Sequence, residues 1–380
     1  MKHRVEITGL AYGGDGIGRI DGQVCFVPFG LPGDVLSVEI TRKAKGVLWG
    51  RIAAVEVGSE HRLAVEDGHA GRCGGCQWLH FAYPAQGAWK QRLITEALAR
   101  YAGLEVAVEW REDPALRLGW RTRAELHGDG ERLGFFAQGS HEIVETPCPL
   151  LHAKLAAAVA RLRGAGWRGE VELTVNPEGE EVLAFGRGPT REARAEVTAW
   201  DTPRGEDMRT QFVFDGAPIV NGCFSQSSLL LNRLLRATVA EMVTAEGAIF
   251  DAYCGNGNLS LVYLPTREVA GVDASEGAVA AAAALGGDYR VGDEWAMVVA
   301  IKGQRWGTVL MDPPRAGAKA LVPALVAAQA EELVYVSCDP VALARDLKGL
   351  CAGGWTVARA VGLDLFPNTA HMETVVRLVR

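Results

Sequence analysis

Asp251-Ala252-Tyr253-Cys254-Gly255-Asn256-Gly257-Asn258 follows the apolar run Ala248 to Asp251 and precedes another from Leu259 to Tyr263. The two glycines let backbone approach a ligand at the carboxyl end of a strand, where open α/β sheets take their ligands. The next strand, Val269 to Val272, ends at Asp273, a carboxylate placed to hold both hydroxyls of a ribose. Outward from this stretch, a helix over Ser227 to Ala240 precedes it, and Glu276 to Leu285, Thr308 to Met311, Lys319 to Ala328 and Leu333 to Val336 follow. Strand and helix in strict alternation predict an α/β class with a doubly wound parallel sheet. Alone, a Gly-x-Gly and a downstream acid fit a nicotinamide dinucleotide equally well, or a purely structural turn.

Two further strand ends narrow the choice. Asp312-Pro313-Pro314-Arg315 closes the strand ending at Met311, and Ser337-Cys338-Asp339-Pro340 closes the one ending at Val336. In a parallel sheet both open onto the crevice that receives Gly255 and Asp273. Phe366-Pro367-Asn368-Thr369-Ala370-His371-Met372-Glu373 then returns a polar loop to the same edge before a terminal strand. A dehydrogenase would leave Asp312 to Arg315 and Cys338 without a task. A buried small hydrophobe is the commoner fate of a single cysteine, but one at the active edge of a sheet is placed to act as a nucleophile.

The chain has 380 residues, 48% hydrophobic and 22% charged, with 46 Gly and 16 Pro, an ordinary folded composition long enough for two or three domains. Its net charge of −7 argues against a polyanionic partner. That average hides local differences. Through Val57 seven cations face six acids, with Arg42, Lys43 and Lys45 clustered. Short strands and Gly-rich turns there, at Val5 to Leu10, Ile20, Val24 to Val27, Val35 to Ile40 and Val47 to Val57, predict a small barrel of the oligonucleotide-binding type. Tyr12, Phe26, Phe29 and Trp49 are its candidate stacking aromatics, with core packing the alternative. Arg117, Arg121 and Arg123, interleaved with Trp120, form a second candidate RNA surface, and Arg315 and Arg345 are candidate phosphate ligands. The N-terminus lacks the apolar core of a signal peptide, and the Ala-rich stretch at Ala278 to Leu285 is too short to span a bilayer. A cytoplasmic protein without a membrane segment is expected, with its eight cysteines free or metal-bound and not paired as disulfides.

Asp-x-x-Cys-Gly-x-Gly-Asn from Asp251, Asp-Pro-Pro-Arg-x-Gly from Asp312, Ser-Cys-Asp-Pro from Ser337 and Phe-Pro-x-Thr-x-His-x-Glu from Phe366, in that order, resemble the S-adenosylmethionine-dependent RNA uracil-5-methyltransferases. The arrangement over the whole chain is similar to the 23S rRNA branch. That branch carries an N-terminal TRAM barrel and a central iron–sulfur domain, both of which the tRNA branch typically lacks. The resemblance implies a class I (Rossmann-like) methyltransferase domain over 211–380, a TRAM barrel over 1–58 and a central α+β domain over 59–210. It implies that Cys338 is the nucleophile that adds to uracil carbon 6 and that Glu373 is the base that removes the carbon-5 proton. It assigns Gln226, Tyr253, Asn258, Asp273 and Asp312 to the cofactor. RNA is the implied partner, with 23S rRNA favoured over tRNA, and a monomer is expected. A non-catalytic RNA-binding protein would explain the barrel and the basic clusters without requiring Cys338 or Glu373.

Cys73-x-x-Cys76 and Cys148 match three of the family's four cluster cysteines. The fourth falls on Asp67, with His69 nearby. A 4Fe-4S cluster on three cysteines, its last position taken by Asp67 or His69 or left open, is the expected reading, and zinc held by three cysteines and a histidine is the alternative. Cys25, Cys223, Cys254 and Cys351 read as structural.

Overall fold

The computed structural model describes residues 1–65, 73–137, 139–145, 147–187, 189–203 and 209–380. Strands β1 (Lys2–Leu10), β2 (Gly16–Ile20), β3 (Gln23–Val27), β4 (Val35–Ala44) and β5 (Val47–Val57) close into a barrel in the order β1-β2-β3-β5-β4. Alternate residues point inward, so Val5, Ile7, Cys25, Val27, Leu36, Val38 and Leu48 fill its core. Helix α1 (Tyr83–Ala97) and strand β6 (Val108–Arg111) come next. After them, β7 (Arg123–Asp129), β8 (Leu133–Phe136), β9 (Ile143–Val144), helix α2 (Ala153–Gly164), β10 (Arg168–Val175), β11 (Val182–Gly186), the short α3 (Arg191–Ala195) and β12 (Ala199–Asp201) build a six-stranded sheet in the order β12-β11-β10-β7-β8-β9. Leu155, Ala158 and Leu162 of α2 pack on Leu126, Val171 and Leu173 of that sheet. A hairpin, β13 (Gln211–Phe214) with β14 (Ala217–Val220), leads to helix α4 (Leu229–Met242), which is capped by the Ser228 hydroxyl accepting from the Leu231 amide at 3.0 Å.

The last part alternates β15 (Ile249–Ala252), β16 (Val269–Asp273), α5 (Glu276–Ala283), β17 (Asp288–Val291), α6 (Glu294–Gly303), β18 (Trp306–Met311), α7 (Val322–Ala327), β19 (Ala330–Ser337), α8 (Pro340–Ala352), β20 (Thr356–Leu363) and β21 (Glu373–Val379). Its sheet has the order β17-β16-β15-β18-β19-β21-β20-β6. Side chains alternate across it. Val309, Met311, Leu333, Tyr335 and Val376 join α1, α6, α7 and α8 on one face. Leu310, Val334, Val336 and Val375 join α4 and α5 on the other.

Two features depart from the sequence reading. The sheet is not parallel throughout: β21 inserts between β19 and β20, antiparallel to both. The short link from Leu363 to Glu373 allows this, whereas a parallel return needs a crossover of a dozen or more residues. Further, α1 and β6, which fall within 59–210, pack on the large sheet. Strand β6 is its edge, parallel to β20 through Ala360↔Val108 to Leu363↔Arg111, and Leu93 and Ile94 of α1 lie in its core.

The barrel docks where the catalytic motifs converge. The Trp78 indole N–H donates to the Gly14 carbonyl at 3.1 Å. Gly14, at φ 92°, has no room for a side chain, because a Cβ there would stand 2.6 Å from that of Ala370.

Candidate active site

Strand ends explain how distant residues meet. β15, β18 and β19 run parallel in register, Ala252 beside Met311 and Met311 beside Tyr335, so Tyr253, Asp312 and Cys338 all emerge at the same carboxyl edge. The antiparallel register of β19 with β21 pairs Ser337 with Thr374, so Cys338, just past β19, and Glu373, the first residue of β21, lie at the same edge of the sheet. A cleft of about 730 Å³ opens there, lined by Gln226, Tyr253, Asn258, Asp273, Asp312, Cys338 and Glu373 together. Every residue assigned from the sequence to catalysis or to the cofactor therefore faces one cavity.

In one half, around the Gly255 loop, the cleft is held by hydrogen bonds. Gly255 donates its N–H to Asp273 Oδ2 at 3.0 Å and Ser275 donates to Oδ1 at 2.8 Å, leaving lone pairs of the carboxylate for a ligand. Tyr253 holds a left-handed φ of 60° and donates its hydroxyl to Glu294 at 2.8 Å. A non-glycine residue kept there at a ligand site stores of order 1 kcal/mol of strain. The Asn258 amide exchanges two hydrogen bonds with Asn232, at 2.7 and 3.0 Å, so it is fixed from α4. Asp251, buried beneath the loop, accepts from the Ser260 hydroxyl, and burial raises its carboxyl to about 7.

The other half is electrostatically poised. Burial first, then the charge of Asp312, pushes Glu373 well above the ordinary carboxylate range, and its Oε1 is buried without a hydrogen-bond partner among the described residues. Burial also raises Asp312. The two carboxyls share too little water to ionise together. The Cys338 thiol is pushed up to about 12 by burial and then by Glu373 and Asp312, while Arg315 pulls the other way. Cys338 immediately precedes the N-cap of α8, where Asp339 accepts from Val341 and Ala342 at 3.0 and 2.7 Å and Pro340 takes the first turn. His371, also lining the cleft, is held down at about 4 by burial and by the cations Arg315, Lys90 and Arg121. It is a neutral imidazole at working pH.

The sequence reading missed Asn232, Asp293 and Glu294 and gave no role to His371 of the returning loop, and all four line the cleft. Asp293 caps α6 just past β17, whose polar Asp288-Tyr-Arg-Val291 carries no strand pattern. The assigned arginines divide. Arg315 is exposed at the cleft, but Arg345 is engaged with Asp346 and with the Ala316 carbonyl at 2.7 Å. Trp120 is fully buried and Arg123 is paired with Glu172, so of that candidate RNA surface only Arg117 is exposed. On the barrel, Arg42 lies 4.6 Å over the Trp49 ring, Phe26 is 6.0 Å from Trp49, and Lys43 and Lys45 are exposed.

Among the described residues no disulfide joins the eight cysteines. Cys73, Cys76 and Cys148 converge electrostatically on Arg121, whose backbone N–H donates to the Leu150 carbonyl at 2.8 Å and whose Nε is buried without an acceptor among the described residues. A buried guanidinium beside thiols suits an anionic sulfur group. The set is nonetheless incomplete. Among the described residues no three His, Cys, Asp or Glu side chains form a group that could hold a metal ion, and Asp67 and His69 lie outside those residues. Among the described residues no helix is long and apolar enough to cross a membrane.

Comparison with known proteins agrees with this geometry. Residues 2–53 match the TRAM domain and residues 296–380 match the tRNA (Uracil-5-)-methyltransferase family. A 23S rRNA (uracil(1939)-C(5))-methyltransferase RlmD from Chromohalobacter salexigens is 31% identical over 99% of this chain and 89% of its own. The RlmD of Pseudomonas fluorescens strain Pf0-1 is 32% identical over 98% and 91%. In fold, the tRNA (uracil-54, C5)-methyltransferase of Pyrococcus abyssi, solved with S-adenosyl-L-homocysteine, superposes with a TM-score of 0.78 at 24% identity, covering 99% of this chain and 100% of that one. With a TRAM barrel ahead of a methyltransferase sheet and full-length relatives above 30% identity, the chain belongs to the S-adenosylmethionine-dependent RNA uracil-5-methyltransferase family.

Proposed function

We propose that the enzyme methylates carbon 5 of a uridine in 23S rRNA, with Cys338 as nucleophile and Glu373 as base. The observation that carries the mechanism is that Cys338, just past the end of β19, and Glu373, at the start of β21, line one cleft beside Asp312. Carbon 5 of uracil is too weak a nucleophile to attack a methyl group unaided. A thiolate adding to carbon 6 breaks the 5,6 double bond and places an enolate at carbon 5. Gln226, Tyr253, Asn258, Asp273 and Asp312 would hold S-adenosylmethionine, which would supply the electrophilic methyl to carbon 5, its methyl–sulfur bond breaking to leave S-adenosylhomocysteine. Glu373 then takes the carbon-5 proton, the double bond re-forms and the thiolate leaves. A carboxyl raised by burial is a stronger base than one in water, which suits it to this proton. The target base enters the cleft only when flipped from its stack.

Support for rRNA comes from the full-length relatives. The barrel alone does not decide, since a tRNA enzyme is covered over its whole length by this chain. Mapping methylated uridines by mass spectrometry in rRNA and tRNA from a strain lacking the gene tests the substrate. Loss of one 5-methyluridine from 23S rRNA is expected, and loss confined to tRNA would overturn it. Glu373→Gln is expected to accumulate a covalent RNA adduct and to slow turnover by about 10²–10⁴, and normal turnover would count against its role.

The match of Cys73, Cys76 and Cys148 to three of the family's cluster cysteines supports a second element of the proposal. They would hold a 4Fe-4S cluster of structural purpose, with Arg121 as counter-charge, although as they stand among the described residues they form no metal-binding group. No step of the reaction is routed through it. Iron and sulfide analysis of anaerobically purified protein is expected to find both, and an iron-free, fully active preparation would exclude the cluster.

A further inference from the structure

Helix α1 presents Gln86 and Lys90, one turn apart, to the interior, and both are fully buried. Neither is left unpaired. Gln86 Nε2 donates to the carbonyls of Trp78 and Phe81 at 3.1 and 2.8 Å and to Asn368 Oδ1 at 3.0 Å, while its Oε1 accepts from the Asn368 amide at 2.9 Å. Lys90 Nζ donates to Asp364 Oδ1 at 2.7 Å and to the Phe366 carbonyl at 3.1 Å. All of the catalytic-domain partners lie in the link between β20 and β21. That link carries Phe366 and His371 into the cleft and delivers Glu373. Asn368, at φ 63°, is further hooked by its Nδ2 to the Arg117 carbonyl at 2.6 Å.

Stability does not demand these groups. A buried ion pair replaced by apolar side chains of similar volume is often neutral or stabilising, and the register of β20 with β21 is already set by their ladder. What the polar groups add is direction. They fix the backbone at Asp364, Phe366 and Asn368, the positions that aim Phe366 and His371.

We propose that Gln86 and Lys90 are positioning residues for methyl transfer, holding the Phe366–His371 wall so that a flipped uracil is gripped between it and Cys338. The proposal rests on the assignment of this cleft to the uracil. It makes α1, which precedes the six-stranded sheet in the chain, a working part of the catalytic edge.

The test uses the full-length enzyme with its RNA substrate. Asn368→Gly keeps the left-handed backbone and removes the hook, and Lys90→Met combined with Asp364→Leu replaces the pair by apolar bulk. Both are expected to bind S-adenosylhomocysteine within about twofold of wild type and to melt cooperatively, while kcat falls about 10- to 100-fold with a smaller change in KM for RNA. Restoring Lys90 and Asp364 should restore kcat. Wild-type kcat in Asn368→Gly, or a loss of kcat matched by equal loss of S-adenosylhomocysteine binding, would overturn the proposal. If the double variant does not fold, Asn368→Gly decides. Cys338→Ala run alongside separates the two claims: an active Cys338→Ala enzyme removes the site assignment, whereas an inactive one beside fully active Asn368→Gly removes only the clamp.

Discussion

The catalytic edge and the cysteine group both draw residues from far apart in the chain, yet they are specified differently. At the edge, Tyr253, Asp273, Asp312 and Cys338 each follow a strand of one sheet, and the register of that sheet turns sequence order into proximity. Cys73, Cys76 and Cys148 lie outside regular strands, on segments that fold around Trp120 and Arg121, and among the described residues they form no group able to hold a metal. A sheet makes chemistry predictable from a motif's position after a strand, whereas loops need the whole fold before their ligands can be counted.

Perturbing one region should leave the other intact, and the largest effect belongs to the edge. Cys338→Ala is expected to reduce methyl transfer, followed with isotopically labelled donor, by at least about three orders of magnitude, as removal of a covalent nucleophile does. Its S-adenosylhomocysteine affinity and the reactivity of Cys73, Cys76 and Cys148 should not change, and a change in either would show that the two regions are coupled. Asp273→Ala removes a carboxylate that orders the Gly255 loop and faces the ligand. Calorimetry should record weaker S-adenosylhomocysteine binding by about 10- to 100-fold, the scale of a lost hydrogen bond to a charged group.

Smaller effects sharpen the electrostatics. Arg315 favours the Cys338 thiolate, so Arg315→Gln should raise the thiol further and move the alkaline rise of the rate to higher pH, by less than about one unit for so exposed a cation. An unshifted profile would remove Arg315 from the reaction. Asp251 is raised in the folded protein from its ordinary value to about 7. Between these values the folded state binds more protons than the unfolded one, so this contribution to stability is full in acid and is lost as pH rises toward 7. Asp251→Asn should therefore gain melting temperature relative to wild type as pH increases from 4 to 8. A constant difference across that range would contradict a buried, raised Asp251.

Much of the edge was legible because buried parallel strands are near-continuous apolar runs with polar residues at their ends, as at Thr308 to Asp312. The barrel was legible from its turns. The placement of α1 and β6 was not, because the partner of β6 is β20, some 250 residues later, and nothing local encodes that pairing. Nothing in the sequence marks Gln86 and Lys90 as buried, since polar side chains on a helix usually face water. Trp120 and Arg123 read as an RNA surface because an arginine-rich stretch with an aromatic does not itself show that Trp120 is buried or that Arg123 is paired with Glu172. The net charge of −7 proved a poor guide, because exposed Arg42, Lys43 and Lys45 are gathered on one barrel hairpin.

RNA carrying 5-fluorouridine gives the most direct measurement, since fluorine at carbon 5 cannot leave as a proton and the reaction stops at the adduct. Incubated with S-adenosylmethionine and the wild-type enzyme, it should yield a denaturation-resistant protein–RNA complex, heavier by one methyl group and mapping by peptide mass to Cys338. An adduct at any other residue, or none under conditions where unmodified RNA is methylated, would contradict the mechanism.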